Sequence, residues 1–398
     1  MAEEVETGSG AMGKLYGRAQ PSYHLIPTAL KDNAPLTAPA TIFLGAGASA
    51  AFGYPTTKGF MDQCRTTVKG KEGELLSTLV EVPNISDVEP VLDILDQIVT
   101  TESPILKYLE YRQVQLPTKP SYFGVSNSSW NDFKKLADSL RRMIHEELFR
   151  QYQFDPKKAD AIRKLYHETL NAISKDASIA QVFTTNYDSL IEEALAGSKE
   201  FALTDGFHTS QYNAVWDGSF DTTGVKFGLK GRYVCLYKLH GSLSWRTDKD
   251  SGNIVRVGTE EKATGYSKKL GENILLYPAS KSPPIADPYG ILYSHFSNKL
   301  NSTNICVVIG FSFRDPFINT VFIDYLRRSQ GNVIIIVSPS ADECAKSLLG
   351  SLESSPLGER VIKLPNKFGD PYTTALIKAT IEKRLSAGLG TSGNNIPV

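Results

Sequence analysis

Apolar residues along this chain fall into two textures. One is a set of short continuous runs rich in β-branched and aromatic residues: Ala40–Leu44, Ala180–Phe183, Tyr233–Leu239, Asn273–Tyr277, Asn304–Ile309 and Asn332–Val337. Such runs predict strands of a parallel sheet, buried on both faces. Val361–Leu364 reads as a further strand at an edge. The other texture is apolar residues at helical spacing, over Ser189–Leu195, Phe317–Arg328, Ala341–Leu349 and Tyr372–Leu385. Strand followed by helix, repeated, predicts an α/β fold: a Rossmann-like parallel sheet with helices on both faces.

Between about 66 and 175 the strand texture disappears. Val88–Ile98, Asn131–Arg150 and Lys158–Ile173 carry apolar residues at helical spacing with charges between them, while 116–129 is rich in Pro, Ser and Asn and reads as a loop. This stretch is predicted to be a mostly helical insertion, entered by a helix that Thr56 or Thr57 caps and that runs to about Arg65. The predicted organisation is therefore an N-terminal extension over 1–39, a domain over 40–385 and a flexible C-terminal tail over 386–398. The extension through Gly13 reads as a flexible tail or partly a cloning scar, and the tail follows from its Gly, Ser and Asn content. No internal repeat is visible.

Composition narrows the function classes. With 43 basic and 43 acidic residues the formal charge is zero, so no nucleic-acid stripe or membrane-binding face is expected. No apolar stretch reaches the length of a membrane span, and no secretory signal opens the chain. Cys64, Cys235, Cys306 and Cys344 form no Cys-x-x-Cys half-site, which argues against a thiolate zinc module. Unpaired cysteines inside apolar runs fit a reducing, cytoplasmic setting.

The polar residues that end the predicted strands carry the chemistry. Gly45-x-Gly47-x-x-Ala50 follows a strand and precedes a helix, the context of a nucleotide loop. Gly45 permits a tight turn, and Gly47 lets backbone amides approach a pyrophosphate at a helix N-terminus. The acidic residue expected about 20 residues on in a dehydrogenase falls inside a predicted helix, so hydride transfer fits poorly. Asn186 follows the run ending at Thr184, where a carboxamide can hold a ribose hydroxyl or a water. Asp188 reads first as a cap for the helix from Ser189. His240 ends Val234–Leu239 beside Gly241 and is the natural acid or base near neutral pH. His145 and His167 read as structural; His208, in a predicted loop, stays open. After Ile305–Ile309 come Gly310 and Ser312, placed for a ribose or phosphate, and Arg314, which pairs either with a phosphate or with a carboxylate such as Asp315. Ser338 ends one more strand, as a plain turn or a rest for an adenosine. All these strand ends converge on one predicted nucleotide site.

These segments resemble the sirtuins. Gly45–Ser49 with Gly53 and Pro55 looks like their nucleotide loop, Thr185-Asn-Tyr-Asp188 is similar to their Gln-Asn-Ile-Asp, and His240-Gly241 to their His-Gly. The likeness is closer to the zinc-less, sirtuin-like NAD hydrolases of bacterial anti-phage systems, with their Thr-Asn-Tyr-Asp, Leu-His-Gly-Ser and Gly-x-Ser-x-x-Asp-Pro segments. It spans roughly 41–340. The resemblance implies that Asn186 positions the nicotinamide ribose and a water, and that His240 acts on a ribose hydroxyl or that water. Gly45, Ala46, Gly47, Ser49, Pro55, Thr185, Asp188, Gly310, Ser312, Arg314 and Asp315 would line the NAD site, without a metal. Zinc-bearing sirtuins carry four cysteines and an Asp-Phe-Arg after the proline, where this chain has Thr56-Thr57-Lys58. Both departures weaken deacylation and favour hydrolysis of NAD to nicotinamide and ADP-ribose, or a cyclised ADP-ribose. Relatives work beside HerA-type DNA-translocating ATPases, Argonaute-like proteins or sensor domains. A homo-oligomer or a separate partner is therefore expected to control a protein that depletes NAD. The rivals are an NAD-dependent protein deacylase and a module that binds NAD or ADP-ribose and assembles without turnover.

Overall fold

The computed structural model describes residues 38–82, 85, 87–100, 130–174, 179–209, 214–220, 232–257, 269–277 and 286–389. The N-terminal extension up to residue 37, the loop over 116–129 and residues 390–398 of the predicted tail lie outside the described residues, whereas 386–389, read as part of that tail, continue the last helix. Seven strands form the main sheet: β1 (Ala40–Leu44), β2 (Ile179–Thr184), β3 (Phe201–Thr204), β6 (Arg232–Lys238), β10 (Ile305–Ile309), β11 (Val333–Val337) and β12 (Val361–Leu364). Their order is β12-β11-β10-β1-β2-β6-β3, and every pairing is parallel. The edge position predicted for Val361–Leu364 is the one that β12 occupies.

Alternation along the strands divides the core in two, because successive side chains point to opposite faces. Ile42, Leu44, Val307, Ile309, Ile335 and Val337 join one cluster, while Phe43, Cys306, Val308, Ile334 and Ile336 join the other. The first face is covered by α1 (Ala46–Ala50), α2 (Thr57–Thr67), α3 (Gly70–Val80), α4 (Val88–Thr100), α5 (Trp130–Gln151), α6 (Ala159–Ser174), α7 (Leu190–Leu195) and α11 (Thr373–Leu389). The second is covered by α8 (Tyr289–Leu300), α9 (Pro316–Arg328) and α10 (Ala341–Leu349). Among the described residues between β1 and β2 there are helices and no strand, and Leu75, Val91 and Leu140 from them share the cluster of Ile42 and Val182. All four cysteines are buried.

A second sheet differs from the sequence reading. It is antiparallel, ordered β4-β5-β8-β7-β9, from β4 (Gly206–Thr209), β5 (Ala214–Ser219), β7 (Gly241–Asp248), β8 (Ile254–Arg256) and β9 (Leu270–Leu275). The run at Asn273–Tyr277, read with the parallel strands, belongs here instead. Its Ile274 and Leu275 are only partly buried, as in a sheet with one face toward the core. Trp216 and Trp245 (ring centroids 5.6 Å apart) with Phe207 pack this sheet onto the second cluster. Among the described residues no helix is long and apolar enough to cross a membrane.

Candidate active site

The main sheet changes direction at β1: β2 lies on one side of it and β10 on the other. Ligands of open α/β sheets bind at such a switch point, outside the C-terminal strand ends. Here the two flanking loops pack backbone on backbone. The Gly45 N–H donates to the Ile309 carbonyl (2.9 Å) and the Gly47 N–H to the Gly310 carbonyl (2.8 Å). A Cβ on Gly47 would lie 2.7 Å from Gly310 Cα. Gly310 has φ +65, and a Cβ there would meet the Ala48 nitrogen at 2.4 Å. Thus Gly47 is required first by the neighbouring loop, and its amide is occupied; Ala46 opens α1 beside it.

Asn186 stands at the end of β2, against that loop. Its Nδ2 donates to the Gly45 carbonyl and to Ser49 Oγ, both at 3.0 Å. Both amide hydrogens are thereby used, which leaves Oδ1 as an acceptor. Ser49 Oγ donates onward to Asp188 Oδ2 at 2.6 Å, and Asp188 Oδ1 accepts the Leu190 N–H at 3.1 Å, while the N-cap position of α7 is Ser189 rather than Asp188. Burial raises the Asp188 carboxyl above its usual range, against the pull of Lys238 and of the Ser49 hydrogen bond. Lys238, 1% exposed, pairs with Glu192 at 2.8 Å and donates to the Asp188 carbonyl. Ser49 and Asp188 therefore stand behind Asn186, fixing its amide. Thr185 is half-buried at the strand end, where its N–H donates to the Leu44 carbonyl (3.2 Å).

His240 occupies the turn that carries the chain from β6 into β7. Gly241 has φ +78, and a Cβ on it would lie 2.0 Å from the Ile274 carbonyl oxygen, so this crossing requires glycine. His240 is 2% exposed, and neither of its ring nitrogens has a hydrogen-bond partner among the described residues. Asp315 Oδ2 stands 3.3 Å from Nε2, while Asp315 Oδ1 caps α9 through the N–H groups of Phe317 and Ile318.

Two acidic residues that sequence reasoning missed complete the cluster. Glu89, in the first turn of α4, has Oε1 3.3 Å from the Tyr187 hydroxyl. Burial pushes its carboxyl up to about 7; His240 opposes this, Asp87 adds to it, and Tyr187 and Arg314 pull it back. Asp87 Oδ2 pairs with Arg314 Nη1 at 2.6 Å. Of the two sequence readings of Arg314, the carboxylate pair is thus formed, with Asp87 rather than Asp315, whose oxygens face His240 and the α9 cap. Arg314 also donates to Ser312 and Thr57, each at 3.1 Å. Ser312 is exposed at the rim, and the Pro55 carbonyl accepts from Tyr152. Alternation of polar and apolar residues on a helix gave no signal for Glu89, because a lone acid between apolar positions looks solvent-facing.

The remaining motifs stand apart. His145 meets the Tyr277 hydroxyl (2.6 Å), His167 faces Glu200 and His208 faces Asp217 across the β4–β5 pair. Ser338 lies in a turn with Ser340. Among the described residues no group of three or more His, Cys, Asp or Glu is arranged to hold a metal ion.

The segment bearing Asn186, His240 and Gly310 can be compared with known proteins. Residues 180–356 match the SIR2-like domain family. The glycine loop at Gly45–Ser49 precedes the matched SIR2-like region. No curated protein matches the chain. Among solved structures, the chain is similar to a triple mutant of a Sir2 homologue in complex with 2′-O-acetyl ADP ribose, at 16% identity and TM-score 0.40, covering 90% of this chain and 96% of that one. It is also similar to a Sir2 homologue bearing a histidine-to-asparagine substitution, in complex with ADP ribose (15%, TM-score 0.41, 87% and 93%). A Sir2 homologue in complex with NAD is a third (16%, TM-score 0.38, 87% and 90%).

Proposed function

We propose that the protein is a sirtuin-like NAD glycohydrolase that cleaves NAD to nicotinamide and ADP-ribose. The observation that carries this reading is the placement of Asn186 and His240 at the ends of the adjacent strands β2 and β6, beside the glycine loops at the switch point. The match to the SIR2-like domain over 180–356 supports it. The bond to nicotinamide breaks toward an oxocarbenium-like state with a good leaving group, so the protein needs to orient the ribose, shelter the cation and admit one water. Asn186 Oδ1 is the free acceptor for a ribose hydroxyl or that water, and His240 is the base. Gly45, Ala46, Gly310 and Ser312 border the phosphates. Ser49 and Asp188 hold Asn186, and Arg314 serves the rim through Asp87. The biological role that fits is the NAD-depleting effector of an anti-phage defence system, controlled by self-association or by a separate ATPase, Argonaute-like or sensor partner.

The test is NAD consumption by the purified protein, with products separated chromatographically. Nicotinamide plus ADP-ribose is expected, falling by at least about 100-fold in His240→Ala. Tight ADP-ribose binding without turnover would instead make the protein an assembly module, and turnover only with acylated peptides would make it a deacylase.

A further inference from the structure

The two oxygens of Asp315 face different partners. We infer that Asp315 orients the His240 imidazole, a positioning residue that keeps the ring proton on Nε2 and leaves Nδ1 to take a proton from the attacking water. For its substrate this rests on the hydrolase reading.

The pair is close and withdrawn from solvent. The side chains of His240 and Asp315 are 2% and 4% exposed, and Oδ2 stands 3.3 Å from Nε2. Neither ring nitrogen has an aligned hydrogen bond among the described residues. Contacts between catalytic partners are often long or poorly aligned before substrate binds, and tighten in the complex. A carboxylate only accepts, so the proton of a neutral imidazole belongs on the nitrogen that faces it. That nitrogen is Nε2, and the lone pair is left on Nδ1.

Asp315 is held in this position from both sides. Its Oδ1 accepts the N–H groups of Phe317 and Ile318 at 2.8 and 3.0 Å, which fixes the carboxylate plane. The N-terminus of α9 also favours a negative charge there. Upstream, Phe313 has φ 55°, a conformation that a bulky side chain adopts only under constraint. Its ring packs on Phe311 and Phe322 (centroids 5.1 and 5.6 Å apart), and its carbonyl accepts from Asn319 Nδ2 at 2.7 Å. Strands β10 and β6 have β1 and β2 between them, a separation of about 14 Å. The contact therefore exists because the loop after β10 reaches toward β6 before α9 begins. The His240 backbone is pinned in turn by the Leu276 N–H on its carbonyl (2.9 Å). Capping α9 uses Oδ1 alone and does not account for Oδ2 against the imidazole.

In the hydrolysis step, a water oxygen bonds to the ribosyl C1′ as the C1′–N bond breaks. The electron pair of that bond leaves with the nicotinamide nitrogen. The water proton passes to His240 Nδ1, and the Asp315 carboxylate stabilises the resulting imidazolium through Nε2–H until the proton returns to solvent. NAD and water are consumed; nicotinamide, ADP-ribose and a proton are released.

The test uses the full chain with Asp315→Ser and Asp315→Asn, since both replacements cap helices well. Serine keeps the cap but is too short to reach the imidazole. Asparagine, capping through its oxygen, presents an N–H to Nε2 and so drives the ring proton to Nδ1. With NAD, each variant is expected to lower kcat by at least about 100-fold, with KM within about 3-fold. A residue that only caps α9 would leave kcat unchanged, so a folded Asp315→Ser enzyme with the parent's kcat would overturn the assignment. NMR of the imidazole nitrogens in the unliganded, histidine-labelled protein separates this inference from the hydrolase reading. The His240 signals are identified by their loss in His240→Ala. At a pH where the ring is neutral, the expected result is a proton on Nε2 in the parent, a mixture of tautomers in Asp315→Ser and a proton on Nδ1 in Asp315→Asn. A parent ring protonated on Nδ1, or one tautomer common to the parent and both variants, overturns the assignment whether or not NAD is turned over.

Discussion

At Ser49 one hydroxyl joins two functions of the glycine loop. It accepts from Asn186 and donates to Asp188, so removing it leaves a buried carboxyl and a carboxamide each short of a partner. Ser49→Ala is expected to destabilise the protein by about 1–3 kcal/mol, read from its urea unfolding midpoint, and to weaken ADP-ribose binding as Asn186 loses its fixed orientation. An unchanged midpoint would remove Ser49 from this role. The sequence made Asn186 and His240 visible because each is a polar residue at the end of a long apolar run. It could not show that Ser49 and Asp188 stand behind Asn186, or that Arg314 answers to Asp87, since those partners are brought together from α1, the loop after β2, the entry to α4 and the loop after β10.

At the scale of elements, the helices between β1 and β2 matter through α4. Placing Glu89 beside the Tyr187 hydroxyl has a cost that pH can reveal. A carboxyl raised from 4.5 to about 7 in the folded chain binds protons more tightly there than in the unfolded chain. Its contribution to stability is therefore full below about 4.5 and is lost as pH rises through 7. Glu89→Gln should flatten that fall, so the variant gains stability over the parent between pH 5 and 7.5 in denaturant titrations. A parallel slope in both proteins would mean that the carboxyl is not so withdrawn from water. The strands of the parallel sheet were legible because burial on both faces writes continuous apolar runs. The antiparallel sheet was not: β7 reads Gly-Ser-Leu-Ser-Trp-Arg-Thr-Asp, and its Trp245 is buried by aromatic packing with Trp216 and Phe207 that no local pattern announces.

For the whole molecule, two sheets meet at one turn. Strand β6 of the parallel sheet, next to its edge strand β3, ends at Lys238, and Leu239-His240-Gly241 hands the chain directly to β7. The return from β9 is tied back by the Leu276 N–H on the His240 carbonyl (2.9 Å). A ligand seated over the switch point would touch loops from β1, β2, β6 and β10 together and so oppose global unfolding. ADP-ribose at about 100 times its Kd should stabilise the protein by about 2.7 kcal/mol, seen as a rise of several degrees in Tm. No rise at saturating ADP-ribose would argue against a nucleotide site at this place.

The burial of all four cysteines has a practical consequence for following this turn in motion. Withdrawal from water pushes the thiols of Cys64 and Cys235 up to about 12, and raises those of Cys306 and Cys344, leaving little reactive thiolate at neutral pH. Ser251, exposed in the bend between β7 and β8, can therefore be changed to cysteine and labelled with a maleimide fluorophore in the otherwise native chain. The dye would sit on the strand pair that begins at His240, and its emission would report when that pair shifts.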